Sequence, residues 1–389
     1  MYFSSIRNFE KPAAEFYNSV GGAAFFERLL REISLRGYRT NLQCSLTEID
    51  YHNLRGGMAG LRRRWNMYVA QSWKCILQSR SCTSTFRIVT TNPFYAPVLV
   101  SRFSRADDFT INLVYDLFPE ALVQSGMIRP DSAIEKCIAK ITRHAFQRCD
   151  ATVFLGENLK AFAEDRYGAA KYGTVIPVGG DGQRFKNEPR MLADGEFVRV
   201  LYSGTMGRMH DFATLAEAIK KRLPSGLVME VRAGGSGYKK LREQIVEENG
   251  IEWGGYLDDE AWIKSMQHTH VSIVTVATGA ERVVMPSKTY SSLLAGHAIL
   301  AICADRSDLA DLVRSHNCGW VIRPGDSDEL HSVLQRIARR PAEVFEKRVN
   351  AFNAGHSHYD MSTIAARWIM LFDGMRDLRR GKMQLGSAS

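Results

Sequence analysis

The segment VVMPSKTYSSLLAGHAILAI, Val283 to Ile302, places Ser287 and Lys288 directly behind Pro286 at the start of an apolar helix pattern. Proline suits a first helical turn, where its missing N–H has no partner in any case. Gly296 reads as the helix stop, and AILAIC as a short buried strand. A lysine in the first turn opposes the helix dipole. The placement makes sense when an anion joins it, with Ser287 supplying a hydroxyl and an N–H and Lys288 supplying charge. A second such group is YSGTMGRMHDF, where Gly204 and Gly207 leave room for a phosphate. There Arg208 and His210 supply donors beside a helix start, although a polar loop with a surface arginine accounts for the same residues. Gly21 and Gly22 open a helix expected over Ala23–Leu35, where bare backbone approaches a ligand closely; an empty strand–helix turn is the rival reading. Last, VYDLFPE ends a buried strand with Tyr115 and Asp116. A carboxylate there is placed to accept a proton from an attacking hydroxyl, or to cap the helix expected over Leu117–Gln124.

These groups need a scaffold that brings strand ends together. Short apolar runs alternate with helix-length amphipathic segments, the pattern of an α/β chain with parallel sheets. In the first half the expected strands are MYFSSI, TNLQCSL, TFRIVTTN, FTINLVYDL, ATVFLG and YGTVIPVG. A polar, proline-bearing stretch, KNEPRMLADGEF (186–197), then reads as the linker. A second series follows: FVRVLYSGTM, LVMEVRAGG, IEWGGYL, VSIVTV, AILAIC and GWVIRP. The expected division is a first domain over 1–190, a linker over 191–197 and a second domain over 198–355. A crossover helix (356–378, its pattern running from Asp360 to Leu378) and a disordered tail (379–389) complete the chain. Two successive Rossmann-like, doubly wound units imply a cleft, with ligands at the carboxyl ends of the strands.

Composition narrows the partners. The 389 residues are 45% hydrophobic and 24% charged, as in a soluble globular protein. No apolar run approaches the roughly 20 residues of a spanning helix. The seven cysteines are scattered without a CxxC pair, so neither a disulfide framework nor a zinc site is expected, which suits a reducing cytoplasm. Of the net charge of +9, residues 1–190 carry an excess of eight, with 26 Lys+Arg against 18 Asp+Glu. Between Tyr51 and Ala106 there are nine basic residues and no acidic one, so the partner of this region should be anionic. Within GMAGLRRRWNMYVAQSWKCIL, Leu61, Trp65, Tyr68, Val69 and Ile76 share one helical face, so part of the segment is core packing. Arg62, Arg63 and Arg64 beside Trp65 fit an anionic membrane surface, each basic residue contributing about 1 kcal/mol there. Nucleic acid is not expected, since the aromatic residues do not interleave as a stacking platform.

The stretches SVGGAAFFERLLREISLRGY, VYDLFPEALVQSG, VIPVGGDGQRF, VLYSGTMGRMHDFATLAEAI, VRAGGSGYKKL, VMPSKTYSSLLAGHAILAI and CGWVIRPGDSDEL carry a family pattern in their order and spacing. The chain resembles glycosyltransferases of the GT-B fold, in particular the family 4-like bacterial nucleotide-sugar transferases that build surface polysaccharides. The resemblance implies two Rossmann-like domains facing a cleft, with the C-terminal helix packing back on the first. By the same resemblance the Gly21–Gly22 loop faces the donor diphosphate and the acceptor. Gly204, Thr205, Arg208, His210, Ser287 and Lys288 would hold the donor phosphates. Gly234 would lie near the nucleotide, with Gly255 and Tyr256 edging the base, although a single tyrosine is more often core. The motif around Asp116 would lie beside the reacting sugar.

The chain also departs from the family. The common Gly-Arg with a Lys five positions on is replaced by Thr205 and His210, with Arg208 as a substitute charge. The common pair of glutamates falls on Val283 and Ser291, leaving Glu281, two residues early, as a catalytic stand-in and Ser291 at the ribose position.

The activity implied is transfer of a hexose from a nucleotide diphosphate-sugar, by family habit UDP-linked, to a lipid-linked or polysaccharide acceptor. The place implied is the cytoplasmic face of the membrane, as a peripheral protein in surface polysaccharide biosynthesis. No DxD-like pair is placed to hold a metal, and no cofactor beyond the nucleotide-sugar is expected. Family habit implies retention at the anomeric carbon, whereas Asp116 as a base suits inversion. Two rivals keep the fold. A nucleotide-sugar epimerase would have no use for a basic, Trp-bearing first domain. A catalytically decayed scaffold would explain the two missing glutamates.

Overall fold

The computed structural model describes residues 13–18, 23–44, 73, 86–185, 187–245 and 250–381. Six described strands form a first parallel sheet: β1 (Ala13–Asn18), β2 (Arg39–Cys44), β3 (Phe86–Thr90), β4 (Phe109–Val114), β5 (Ala151–Phe154) and β6 (Gly173–Val175), in spatial order β2-β1-β3-β4-β5-β6. A second parallel sheet contains β7 (Val198–Thr205), β8 (Leu227–Gly234), β9 (Ile251–Gly254), β10 (Val271–Thr275), β11 (Ala298–Ile302) and β12 (Gly319–Ile322). Its order is β12-β11-β10-β7-β8-β9. In each sheet the chain order reverses beside the first strand, between β1 and β3 and between β7 and β10. Such a reversal opens a crevice at the carboxyl ends of the strands.

The connecting helices are α1 (Ala23–Leu35), α2 (Ala96–Phe103), α3 (Glu120–Gln124), α4 (Ala133–Arg148), α5 (Glu157–Tyr167), α6 (Ala213–Lys220) and α7 (Ser236–Gln244). They continue as α8 (Asp259–His268), α9 (Lys288–Leu294), α10 (Asp308–Ser315), α11 (Ser327–Arg339), α12 (Pro341–Ala354) and α13 (Met361–Arg379). Strands β3, β4, β5, β10 and β11 are buried along their whole length, as expected of parallel strands covered on both faces.

Contacts divide the chain into two units. The first holds the described residues up to Pro119, then Ile128–Pro177 and the chain from Met361 onward; the second holds Glu120–Met127 and Val178–Asp360. The chain therefore enters the second unit earlier than the expected boundary at residue 190, for local reasons. The Gly180 amide donates to the Tyr359 carbonyl at 2.9 Å, and the Gly182 amide to Asp360 Oδ1 at 2.8 Å. Phe185 is buried with Leu201, Met266 and Leu294. Residues 120–127 join the same unit because Gln124 donates to the Thr278 carbonyl at 2.9 Å and Arg208 donates to the Ser125 carbonyl.

Helix α13 belongs to the first unit. Phe372 lies 4.3 Å from Phe86 and 5.5 Å from Tyr38, centroid to centroid, and the Tyr38 hydroxyl donates to Asp373 at 2.9 Å. At its far end Arg379 stands 3.5 Å over the Phe109 ring. The expected strand MYFSSI, the Gly21–Gly22 loop and the basic residues Arg62, Arg63, Arg64 with Trp65 lie outside the described residues. Among the described residues no helix is long and apolar enough to cross a membrane.

Two histidines at the amino ends of β10 and β11 are buried uncharged. His297 Nε2 lies 2.6 Å from the Met266 carbonyl and Nδ1 lies 2.8 Å from Ser272 Oγ. Burial pushes His297 down to about 3, and burial with the nearby Arg348 charge pushes His270 down to about 4. Both folded values lie below the unfolded one, so the unfolded chain binds more protons on acidification. Stability is therefore fully present above about pH 6.5 and is lost as the pH falls below it. Between pH 7 and 5 each histidine should cost about 2 kcal/mol, at about 1.36 kcal/mol per pH unit. Urea midpoints at the two pH values check this, and His297→Gln should shrink the difference. An equal midpoint at both pH values in the wild type would refute it.

Candidate active site

Of the residues read as anion-binding in the second unit, Gly204, Lys288 and His210 lie together at the carboxyl end of β7, beside the strand-order reversal. Gly204 there has φ +105°, a conformation that side chains rarely adopt. Lys288, the first residue of α9, extends to this point. Its Nζ lies 4.2 Å from the Tyr202 ring centroid and within 3.7 Å of where a Cβ on Gly204 would sit. The amine is shut off from water and has no hydrogen-bond partner among the described residues. Burial pushes it down to about 7. A buried ammonium facing only an aromatic ring is costly, and a bound anion relieves that cost. Ser287, the N-cap of α9, is exposed and its side chain makes no cap hydrogen bond, which leaves the hydroxyl free of that duty.

His210 adds a second donor with a defined proton. The Gly207 amide donates to His210 Nδ1 at 3.1 Å, so the ring proton sits on Nε2. Burial and the Lys288 charge push His210 down to about 4, which keeps it a neutral donor at pH 7. Arg208 is exposed and one arm of its guanidinium is occupied by the Ser125 carbonyl in the same unit, so it also fastens the segment after α3.

Tyr256 is not a core residue: 54% of it is exposed. Its ring lies against Gly234, where a Cβ would fall 2.5 Å from the ring carbon Cε2. Its hydroxyl pairs with Thr205 Oγ1 at 3.1 Å. The carbonyl of Thr205 in turn accepts from the Tyr202 hydroxyl at 3.1 Å. Thr205, Gly234, Tyr256 and Tyr202 thus form one assembly at the ends of β7 and β8. Gly255 follows β9 directly and has open space around it. Tyr202 was not among the candidates in the sequence. The only signal for it there was its place two residues before Gly204, because the lysine it faces comes from a distant helix.

Glu281 lies in a short 3₁₀ turn, Ala280–Arg282, after β10. Its Oε2 is buried with no hydrogen-bond partner among the described residues. Ser291 sits in α9 three residues after Lys288, on the same helix face, half-buried. Gly21 and Gly22 lie outside the described residues.

In the first unit Asp116 follows β4. Thr91 holds its backbone: the Thr91 hydroxyl donates to the Asp116 carbonyl at 2.7 Å and the Asp116 amide lies 3.3 Å from the same oxygen. No hydrogen bond or ion pair among the described residues engages its carboxylate, and burial pushes the carboxyl up to about 6. The neighbouring Tyr115 ring lies 6.3 Å from that of Phe26 in the first turn of α1. The helix expected over Leu117–Gln124 begins only at Glu120, after Pro119. Asp116 is too early to cap it, so the capping alternative falls and an uncommitted carboxylate remains.

Comparison with known proteins bears on the fold. No protein-family model matches the chain. The probable glycosyltransferase WbjE of Pseudomonas aeruginosa is 21% identical over 237 residues, a match that covers 58% of this chain and 58% of that protein. The structure of Anabaena Alr3699/HepE in complex with UDP superposes with a TM-score of 0.69 at 13% identity, covering 93% of this chain and 100% of that one. WaaG, a glycosyltransferase involved in lipopolysaccharide biosynthesis, superposes with a TM-score of 0.64 at 14% identity, covering 93% and 100%.

The fold is GT-B. The resemblance read from the motifs agrees with these relatives, and the two parallel sheets are the two halves that the GT-B fold requires.

Proposed function

We propose that the chain is a glycosyltransferase that takes a hexose from a nucleoside diphosphate-sugar, with uridine as the base, and passes it to a lipid-linked or polysaccharide acceptor. The observation that carries this reading is the buried Lys288 amine at the carboxyl end of β7, without a hydrogen-bond partner among the described residues. It is a ready counter-charge for a leaving diphosphate, and positioned charge of this kind lowers the barrier without a covalent step. His210, Ser287, Gly204 and Arg208 would complete the phosphate site, and Thr205, Gly234, Gly255, Tyr256 and Ser291 would border the nucleoside. No metal or further cofactor enters this scheme. The relatives supporting it are WbjE, named a probable glycosyltransferase, and HepE, solved with UDP.

Surface polysaccharide synthesis at the cytoplasmic membrane face rests on the basic segment around Arg62, Arg63, Arg64 and Trp65, and on WaaG's role in lipopolysaccharide biosynthesis. Family habit favours retention. The uncommitted Asp116 carboxylate favours a base and inversion instead, and the anomer of the product distinguishes the two.

The test is a melting-temperature screen with UDP, GDP and dTDP. A nucleotide at a hundredfold its dissociation constant should stabilise the protein by roughly 2.7 kcal/mol, and UDP is expected to give the largest shift. No shift with any of the three would move the chain toward the decayed scaffold.

A further inference from the structure

The second unit holds another cavity, of about 390 Å³, that the proposed transfer does not use. It is lined from the amino ends of β7 and β10, the loop before β11 and the end of α8, so it opens at the edge of the sheet opposite to Lys288. Arg348 of α12 forms part of its wall and is only 6% exposed. Its Nε donates to the Gly296 carbonyl at 3.1 Å and its Nη1 to the Arg190 carbonyl at 2.9 Å. Carbonyls orient a guanidinium but do not neutralise it. Among the described residues no carboxylate lies within ion-pair distance of Arg348, and the acids of the lining do not fill that role. Glu196 is held bidentately by Arg190 at 2.7 and 2.8 Å, and Glu188 is exposed. Arg199 adds positive charge at the rim, with Glu252 only at 3.9 Å. His270 uses Nδ1 to accept from the Arg199 amide at 3.0 Å.

A buried guanidinium with no carboxylate in ion-pair contact is unfavourable, and burial with the neighbouring Arg190 charge, only partly offset by Glu196, lowers Arg348 to about 10. We propose that this cavity binds a small phosphate ester whose phosphate is held by the Arg348 guanidinium, at a site separate from the nucleotide. The fork of an arginine matches a phosphate with two parallel N–H bonds. The volume falls within the range of small-molecule pockets, and the Asn187 and Gln267 amides in the lining suit the hydroxyls of a polyol or sugar.

The test titrates inorganic phosphate and glucose 6-phosphate calorimetrically into the full chain at constant ionic strength. Lys288→Ala removes the nucleotide site and should leave binding unchanged. Arg348→Met should weaken it at least tenfold. Gln267→Trp, which narrows the cavity and keeps Arg348, should weaken glucose 6-phosphate more than inorganic phosphate, and it carries the test if Arg348→Met fails to fold. Tighter binding of the sugar phosphate supports an ester as occupant. Equal affinity for the two would overturn the ester assignment. Binding that vanishes in Lys288→Ala, or that survives intact in both cavity variants, would overturn the site itself.

Discussion

Lys288→Ala is expected to lower turnover at least tenfold and to abolish most of the melting shift produced by nucleoside diphosphate, while the unliganded protein melts no lower than the wild type. The two halves of this expectation come from one observation. In the free protein the amine is buried beside Tyr202 with no hydrogen-bond partner among the described residues, so its charge destabilises the fold. With a folded value of about 7, below the usual 10.5, the unfolded chain binds the proton more tightly across that interval. Removing the amine therefore relieves a cost. A diphosphate reverses the balance by supplying the missing partner, and a charge-assisted hydrogen bond of about 1.5–3 kcal/mol corresponds to tenfold or more in affinity. Binding should also take up a proton above pH 7, so the Kd for nucleotide should rise with pH there. A Lys288→Ala variant that melts lower and still binds nucleotide normally would make this lysine a structural residue and remove the main support for the transferase reading.

Asp116→Asn should reduce kcat about a hundredfold or more, in line with the loss of a positioned base, without loss of fold. Burial raises this carboxyl to about 6, so the ionised form needed by a base is depleted as the pH falls below 6. The lysine limb acts from the other side, since protonated Lys288 is depleted above about 7. The profile of kcat/KM should be bell-shaped between these limits, and Asp116→Asn should lose the acid limb in its residual activity. Stability should stay level or rise at pH 7. A carboxyl whose folded value exceeds its unfolded 3.8 costs stability once the pH passes that value, and the amide carries no such cost. Full activity in Asp116→Asn with the acid limb unchanged would exclude the base and return the retaining mechanism.

Much of this arrangement was readable in the sequence because it depends on local patterns. Helix α1 spans Ala23–Leu35, as its apolar spacing and preceding glycines imply, and the segment from Ser287 through Gly296 to Ile302 folds as its proline, serine and glycine imply. What escaped depends on distant partners. β1 (AAEFYN) lacks the β-branched signature of a strand, and pairing with β2 on one side and β3 on the other makes it one. The start of α3 was misplaced because Pro119 shifts it past Leu117. Tyr256 carries no sequence mark of exposure; the contact with Gly234 and Thr205, from other strands, sets it. The burial of Lys288 is of the same kind, since the ring that covers it lies 86 residues away in sequence, from position 202 to 288.

The return of α13 to the first unit has a consequence for how the chain matures on the ribosome. The sheet begun by β1 lacks Phe372 and Asp373 until the chain has emerged past residue 373, whereas Val178–Asp360 carries its own complete six-stranded sheet. Vectorial synthesis should therefore let the later half consolidate first and keep the earlier half waiting, its aromatic face around Phe86 uncovered. A nascent chain stalled short of α13 is where a chaperone would have work to do.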